Sequence, residues 1–167
     1  MSTGKVTYGA GTVDDPWILK TPSLSSDYKA WRDPTRTPPA LVVQVGTTVL
    51  SYRLECLDHL AAMLAARGDW MLLGNADEGK PVPPDSVEAW ARDPDNPVGG
   101  WYGLKKGLRG RFGNYVPPVL EALGLAEGLD RVAVHALMAA GLDVVIHLVR
   151  DPDGRRAGAA RACPIDD

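Results

Sequence analysis

The chain reads as a single α+β domain, on three observations. Segments of strand-like composition come early and segments of helical spacing come late, which favours α+β over an alternating, doubly wound sheet. Its 167 residues, 45% of them hydrophobic, suit one domain able to bury its own core. No GxGxxG follows a strand-like run, so neither a dinucleotide fold nor a cofactor is expected. The predicted architecture is an early β-hairpin or small antiparallel sheet, several helices, and loops rich in the chain's 18 glycines and 14 prolines.

Residues 1–15 (MSTGKVTYGAGTVDD) carry no periodicity and read as a mobile N-terminal arm; 16–155 form the domain. Residues 16–39 read as a loop that packs onto the domain, because Trp17, Tyr28 and Trp31 are costly to leave in water. Ala40–Glu55 is the clearest β signal: ALVVQV is rich in β-branched residues, Gly46-Thr47 marks a turn, and TTVLSYRL resumes the strand, giving a hairpin. CLDHLAAMLAARG then places Leu57, Leu60, Met63 or Leu64, and Arg67 at helical spacing, with Gly68 as the stop. DWMLLG is a short strand and NADEGKPVPPD a loop. DSVEAWARD is a short helix capped by Asp85 or Ser86. Pro117-Pro118 can open a helix through VLEALGLAEG. Asp130 caps RVAVHALMAAG, LDVVIHLVRDPDG is a strand running into a turn, and 156–167 is a flexible tail.

Charge and cysteine content narrow the function classes. Eighteen Lys and Arg against 21 Asp and Glu leave a net charge of −3, which sets aside a globally basic nucleic-acid protein. Cys56 and Cys163 are far apart, with no CxxC pair for a metal and no disulfide framework. No apolar run approaches the ~20 residues of a membrane span. The N-terminus has no apolar core of a secretory signal, so the expectation is a cytoplasmic protein.

The most informative stretch is DNPVGGWYGLKKGLRGRFGNYVPPVL. It lacks acids between Asp95 and Glu121, carries Lys105, Lys106, Arg109 and Arg111, and holds Trp101, Tyr102, Phe112 and Tyr115. As a helix, Leu104, Leu108, Phe112 and Tyr115 would form one apolar face, and Gly100, Gly103, Gly107 and Gly110 a second face without side chains. Each interior glycine costs about 1 kcal/mol relative to alanine, so that helix requires a backbone or a ligand close against the glycine face. As a loop, the same glycines would let N–H groups and cations cradle an anion. Either form gives an electropositive surface lined with rings, which suits a ligand or phosphates; the bland alternative is a solvated basic face.

The remaining chemistry is sparse. His59 follows Glu55 and Cys56 on a helix and reads as a surface residue, since no third and fourth metal ligand is spaced for it. His135 lies near the apolar face of its helix and His147 alternates with Val145 and Val149 on a strand; each reads either as a hydrogen-bonded structural histidine or as a general base. Asp77, Glu78 and Lys80 follow a short strand, a position that hosts either a site or solvated loop charges. Asp93, Asp95 and Asn96 resemble an Asx-turn cluster more than a calcium loop. No serine sits in GxSxG, and Cys56 has no evident activator.

DPWILKTP, PPALVVQVGTTVLSY, RGDWMLLGNADEGKP and DNPVGGWYGLKKGLRGRFGNYVPPVLEALGLAE together resemble a family of small bacterial proteins of unknown function, over residues 17–127. The resemblance implies no activity, cofactor or catalytic residue. The residues themselves lead to a small-molecule-binding protein, or an enzyme without cofactor acting on an anionic or aromatic metabolite. Trp101, Tyr102, Lys105, Arg109, Arg111, Phe112 and Tyr115 would bind the ligand. If a reaction occurs, His147 or His135 would be the base and Arg109 or Arg111 would stabilise negative charge. The alternatives are a winged-helix-like nucleic-acid module with Lys105 to Arg111 on phosphates, and a protein-interaction subunit whose glycine face meets a partner.

Overall fold

The computed structural model describes residues 9–22, 26–128 and 145–148. Four strands, β1 (Trp17–Lys20), β2 (Asp27–Asp33), β3 (Ala40–Val45) and β4 (Thr48–Arg53), form an antiparallel meander in sequence order. The expected hairpin is β3–β4, closed by Gly46 at φ 58° with Val45 opposite Thr48. Residues 16–39, expected to be a packed loop, instead supply two strands. The period-2 signal is present in retrospect: Trp17 and Leu19 alternate inward in β1, and Tyr28 and Ala30 in β2. β1 is only four residues long, too short for its alternation to separate from coil.

The inner face of this sheet carries Trp17, Leu19, Tyr28, Ala30, Leu41, Val43, Leu50 and Tyr52, all buried. Helix α1 (Cys56–Arg67) adds Leu57, Leu60 and Leu64 to the same core. It ends where read, at Gly68 in the left-handed conformation, whose N–H donates to the Leu64 carbonyl. The short β5 (Met71–Leu72) follows, then α2 (Val87–Trp90), whose cap is Ser86: its Oγ accepts from the Ala89 N–H at 3.1 Å. Helices α3 (Phe112–Tyr115) and α4 (Pro117–Ala122) close the core from the other side, with Pro117 opening α4. β6 (Ala126–Gly128) and β7 (Val145–Leu148) join β5 in a second antiparallel sheet of order β5-β7-β6. An early antiparallel sheet with a few helices makes this a small α+β domain.

The helical reading of the glycine-rich segment is overturned. Residues 94–111 are turns and extended loop, and only Phe112–Tyr115 are helical. Gly99, Gly100 and Gly107 have φ of 75°, 148° and 90°, and Arg111 has φ 59°, none compatible with a right-handed helix. The Asx cluster takes the form expected: Asp93 Oδ1 accepts from the Asp95 N–H, and Asn96 Oδ1 from the N–H groups of Val98 and Gly100. Among the described residues no helix is long and apolar enough to cross a membrane.

Candidate functional site

The glycine-rich loop is held to the sheet from end to end. The Leu104 N–H donates to the Ser51 carbonyl, the Arg53 N–H to the Tyr102 carbonyl, and Tyr52 pairs with Gly103 in an antiparallel bridge along the β4 edge. Further on, the Tyr52 hydroxyl donates to the Gly110 carbonyl at 2.8 Å, and the Tyr28 hydroxyl to the Tyr115 carbonyl at 2.7 Å. The glycines explain themselves through this contact. A Cβ on Gly110 would collide with the backbone of residues 76–78, one on Gly113 with the carbonyls of Leu73 and Gly74, and one on Gly103 with Arg109. The backbone that approaches the glycines is the chain's own.

So is the anion that the loop cradles. Glu78 accepts from the Gly107 N–H at 2.8 Å, the Arg109 N–H at 3.3 Å and the Arg109 Nε. The Arg109 hydrogen bond, with the two backbone donors, holds the Glu78 carboxyl below the usual carboxylate range. A second carboxylate, Glu88, lies deeper. Its oxygens accept from the N–H groups of Ala76, Phe112 and Gly113 at 3.2–3.3 Å, with Arg92 Nη2 at 3.5 Å. The Glu88 side chain is 1% exposed, and burial raises its pKa against the pull of those donors. Glu88 thus ties α2, the loop at 76 and the start of α3 together. The sequence passed over it; the available signal was an acid inside an apolar helix with Arg92 four residues on.

Beside these anchors a cleft of about 190 Å3 opens between the β3–β4 hairpin and the loop. Val45, Leu50, Leu108 and Tyr115 line it with apolar surface. Thr48, Asp77, Glu78 and Arg111 supply its polar lining. Arg111 Nε and Nη2 donate to the two Asp77 oxygens at 2.5 and 3.2 Å.

The structure divides the residues expected to bind a ligand. Arg111 and Tyr115 meet at the cleft. Tyr102 and Phe112 are core residues, 0% and 1% exposed, in a cluster with Trp90 where Tyr102 and Trp90 stack at 5.1 Å. Trp101 carries the guanidinium groups of Arg92 and Arg109 over its ring at 4.5 and 4.9 Å. Lys105 is exposed on the loop. The single cationic recess lined by all four rings does not form: Tyr102 and Phe112 are buried in the core, Trp101 stacks under Arg92 and Arg109, and Tyr115 alone of the rings lines the cleft with Arg111. Asp77 and Glu78, read as a strand-end polar loop, do reach the cleft; its hairpin wall of Val45, Thr48 and Leu50 carried no signal beyond strand propensity.

The histidines fare unequally. His59, read as a surface residue beside Glu55, is half-buried with Nδ1 2.9 Å from the Tyr102 hydroxyl. His147 sits on β7, its backbone opposite Glu127 on β6. His135 lies outside the described residues. Burial pushes the Cys56 thiol up, which keeps it from acting as a thiolate. Among the described residues no group of three or more His, Cys, Asp or Glu could hold a metal ion.

Comparison with known proteins adds kinship rather than chemistry. Two Mycobacterium tuberculosis proteins, each named "Putative conjugal transfer protein" (MT3759 of strain CDC 1551 / Oshkosh and Rv3659c of strain H37Rv), share 51% identity with this chain over 41 residues. That stretch is 25% of this chain and 12% of each relative, so the chain matches only a small part of their length. No solved structure matches. A family of unknown function, DUF6855, matches residues 9–136, which contains the resemblance read over 17–127 and every element that builds the cleft. The chain belongs to that family.

Proposed function

We propose that this chain is a cytoplasmic small-molecule-binding domain whose ligand sits in the cleft between the β3–β4 hairpin and residues 107–115. One observation carries the reading: the cleft joins an apolar lining to a rim of opposite charges on a pre-tied scaffold. That is the composition of small-ligand sites, apolar walls with a few fixed polar groups. The volume limits the guest, since a cavity of about 150 Å3 accepts benzene; one ring or a branched aliphatic body fits here. Arg111 is the cation offered to it. The consumption of the loop's donors by Glu78 argues against a multiply charged anion.

A thermal-shift screen of the full chain against metabolites tests the proposal. A true ligand at a hundred times its Kd stabilises the fold by about 2.7 kcal/mol. Thr48→Trp, an exposed position at the rim, fills the cleft and abolishes that shift. A screen with no stabilising ligand, or a shift unchanged in Thr48→Trp, overturns the reading.

A second reading has one observation in its favour. Lys105 and Lys106 stand exposed side by side, outside the ion pairs made among the described residues. They suit phosphate contact, and two partial relatives carry the name "Putative conjugal transfer protein". Duplex DNA binding that weakens steeply with salt, and is lost in the double variant Lys105→Glu, Lys106→Glu, would replace the first reading with this one.

A further inference from the structure

Resting on the cleft as a ligand site, we propose that its ligand is a zwitterion: a free α-amino acid with an apolar side chain of at most one ring. The charges that line the cleft are not equivalent. Glu78 is committed, held by two backbone N–H groups and by Arg109. The Asp77–Arg111 pair is held only side chain to side chain, with 57% of the Asp77 side chain and 41% of the Arg111 side chain exposed. The pair is bidentate, Arg111 Nε and Nη2 on the two Asp77 oxygens, but neither side chain is tied to a backbone group among the described residues, so a guest that replaces both of its hydrogen bonds can exchange with it without uncoupling the loop. It is the exchangeable element of the rim.

Its opening decides the charge of the guest. A monocarboxylate that takes Arg111 displaces Asp77 and lies beside two carboxylates, Asp77 and Glu78, in a cleft whose charged lining residues sum to one negative charge. A simple amine that takes Asp77 leaves the Arg111 guanidinium without its carboxylate. A guest bearing both groups inserts into the pair, carboxylate on Arg111 and ammonium on Asp77, and leaves no charge unmatched. An α-amino acid carries the two groups on one carbon, and its side chain then extends over Val45, Leu50 and Leu108. Arg111 is set for this by its backbone: the left-handed φ of 59° and the N–H donated to the Ala76 carbonyl fix where its side chain leaves the chain, opposite Asp77 on the neighbouring turn.

Calorimetry on the full chain with phenylalanine, 3-phenylpropanoate and 2-phenylethylamine tests the inference. Phenylalanine binds at least about tenfold more tightly than either analogue, because each analogue forfeits a charge-assisted contact. In Asp77→Asn the advantage over 3-phenylpropanoate disappears, and in Arg111→Gln the advantage over 2-phenylethylamine disappears. An analogue that binds wild-type protein as tightly as phenylalanine overturns the zwitterion, as does failure of all three to bind. The two failures separate. If the metabolite screen still yields a ligand whose shift is lost in Thr48→Trp, the cleft reading survives without the zwitterion; if it yields none, both fall.

Discussion

Glu88 is the residue on which the local architecture turns. Its carboxylate satisfies three backbone N–H groups from two separate segments, so it replaces hydrogen bonds that no secondary structure supplies there. Glu88→Gln keeps the shape but turns an amide N–H2 toward one of those donors, at a cost of about 1–3 kcal/mol by denaturant unfolding. The pH dependence has a definite sign. Because burial raises the folded pKa above the ordinary value of 4.5, the folded state holds the proton more tightly than the unfolded chain. That contribution to stability is full below about pH 4.5 and is lost as pH rises through the folded value. The stability gap between wild type and Glu88→Gln is therefore widest in acid and narrows toward neutrality. A gap that widens with rising pH would mean that Arg92 and the backbone donors outweigh burial.

At the scale of elements, the glycine-rich loop separates two uses of glycine that one sequence pattern conceals. Gly107 needs its positive φ and has open space where a Cβ would go, while Gly110 needs the space itself, against the backbone of 76–78. Gly107→Ala should cost about 1 kcal/mol through backbone strain alone. Gly110→Ala should cost about 3 kcal/mol and loosen the cleft wall, because rigid backbone rather than a flexible side chain stands in the way. Equal unfolding free energies for the two variants would contradict this account. The same contrast explains what was legible. The hairpin, α1 with its Gly68 stop, the Ser86 cap and the Pro117 start rest on residues whose local preference and tertiary role agree. The helical reading of 100–115 failed because its apolar spacing is shared by a loop that buries Tyr102 and Phe112 at separate turns, and periodicity does not record φ. The cleft was half legible: Arg111, Tyr115, Asp77 and Glu78 stood out as chemistry, but their meeting depends on long-range backbone contact that spacing does not encode.

For the whole molecule, the question is whether the cleft wall belongs to the core or rides on it as a flap. The segment from Tyr102 to Tyr115 extends the sheet edge at Gly103, contributes Tyr102 and Phe112 to the central cluster, and is pinned by the hydroxyls of Tyr28 and Tyr52. A flap has few buried contacts and opens below the global unfolding energy; this segment is anchored at both ends by buried residues, Tyr102 and Gly103 on one side and Gly110, Phe112 and Tyr115 on the other, around an exposed turn at 105–107. Its amides at Leu104 and Arg111, bonded to the Ser51 and Ala76 carbonyls, should exchange hydrogen only through global unfolding. Tyr52→Phe leaves the buried Gly110 carbonyl without its donor and should lower stability by about 1–2 kcal/mol. It should lower the exchange free energies of Leu104, Arg111 and the β3 amides by that same amount. Exchange that accelerates at Leu104 and Arg111 alone would instead make the wall a separately opening unit. The distinction reaches function, because a wall that opens only with the fold presents a preformed cleft, and a ligand binding it loses no affinity to ordering the loop.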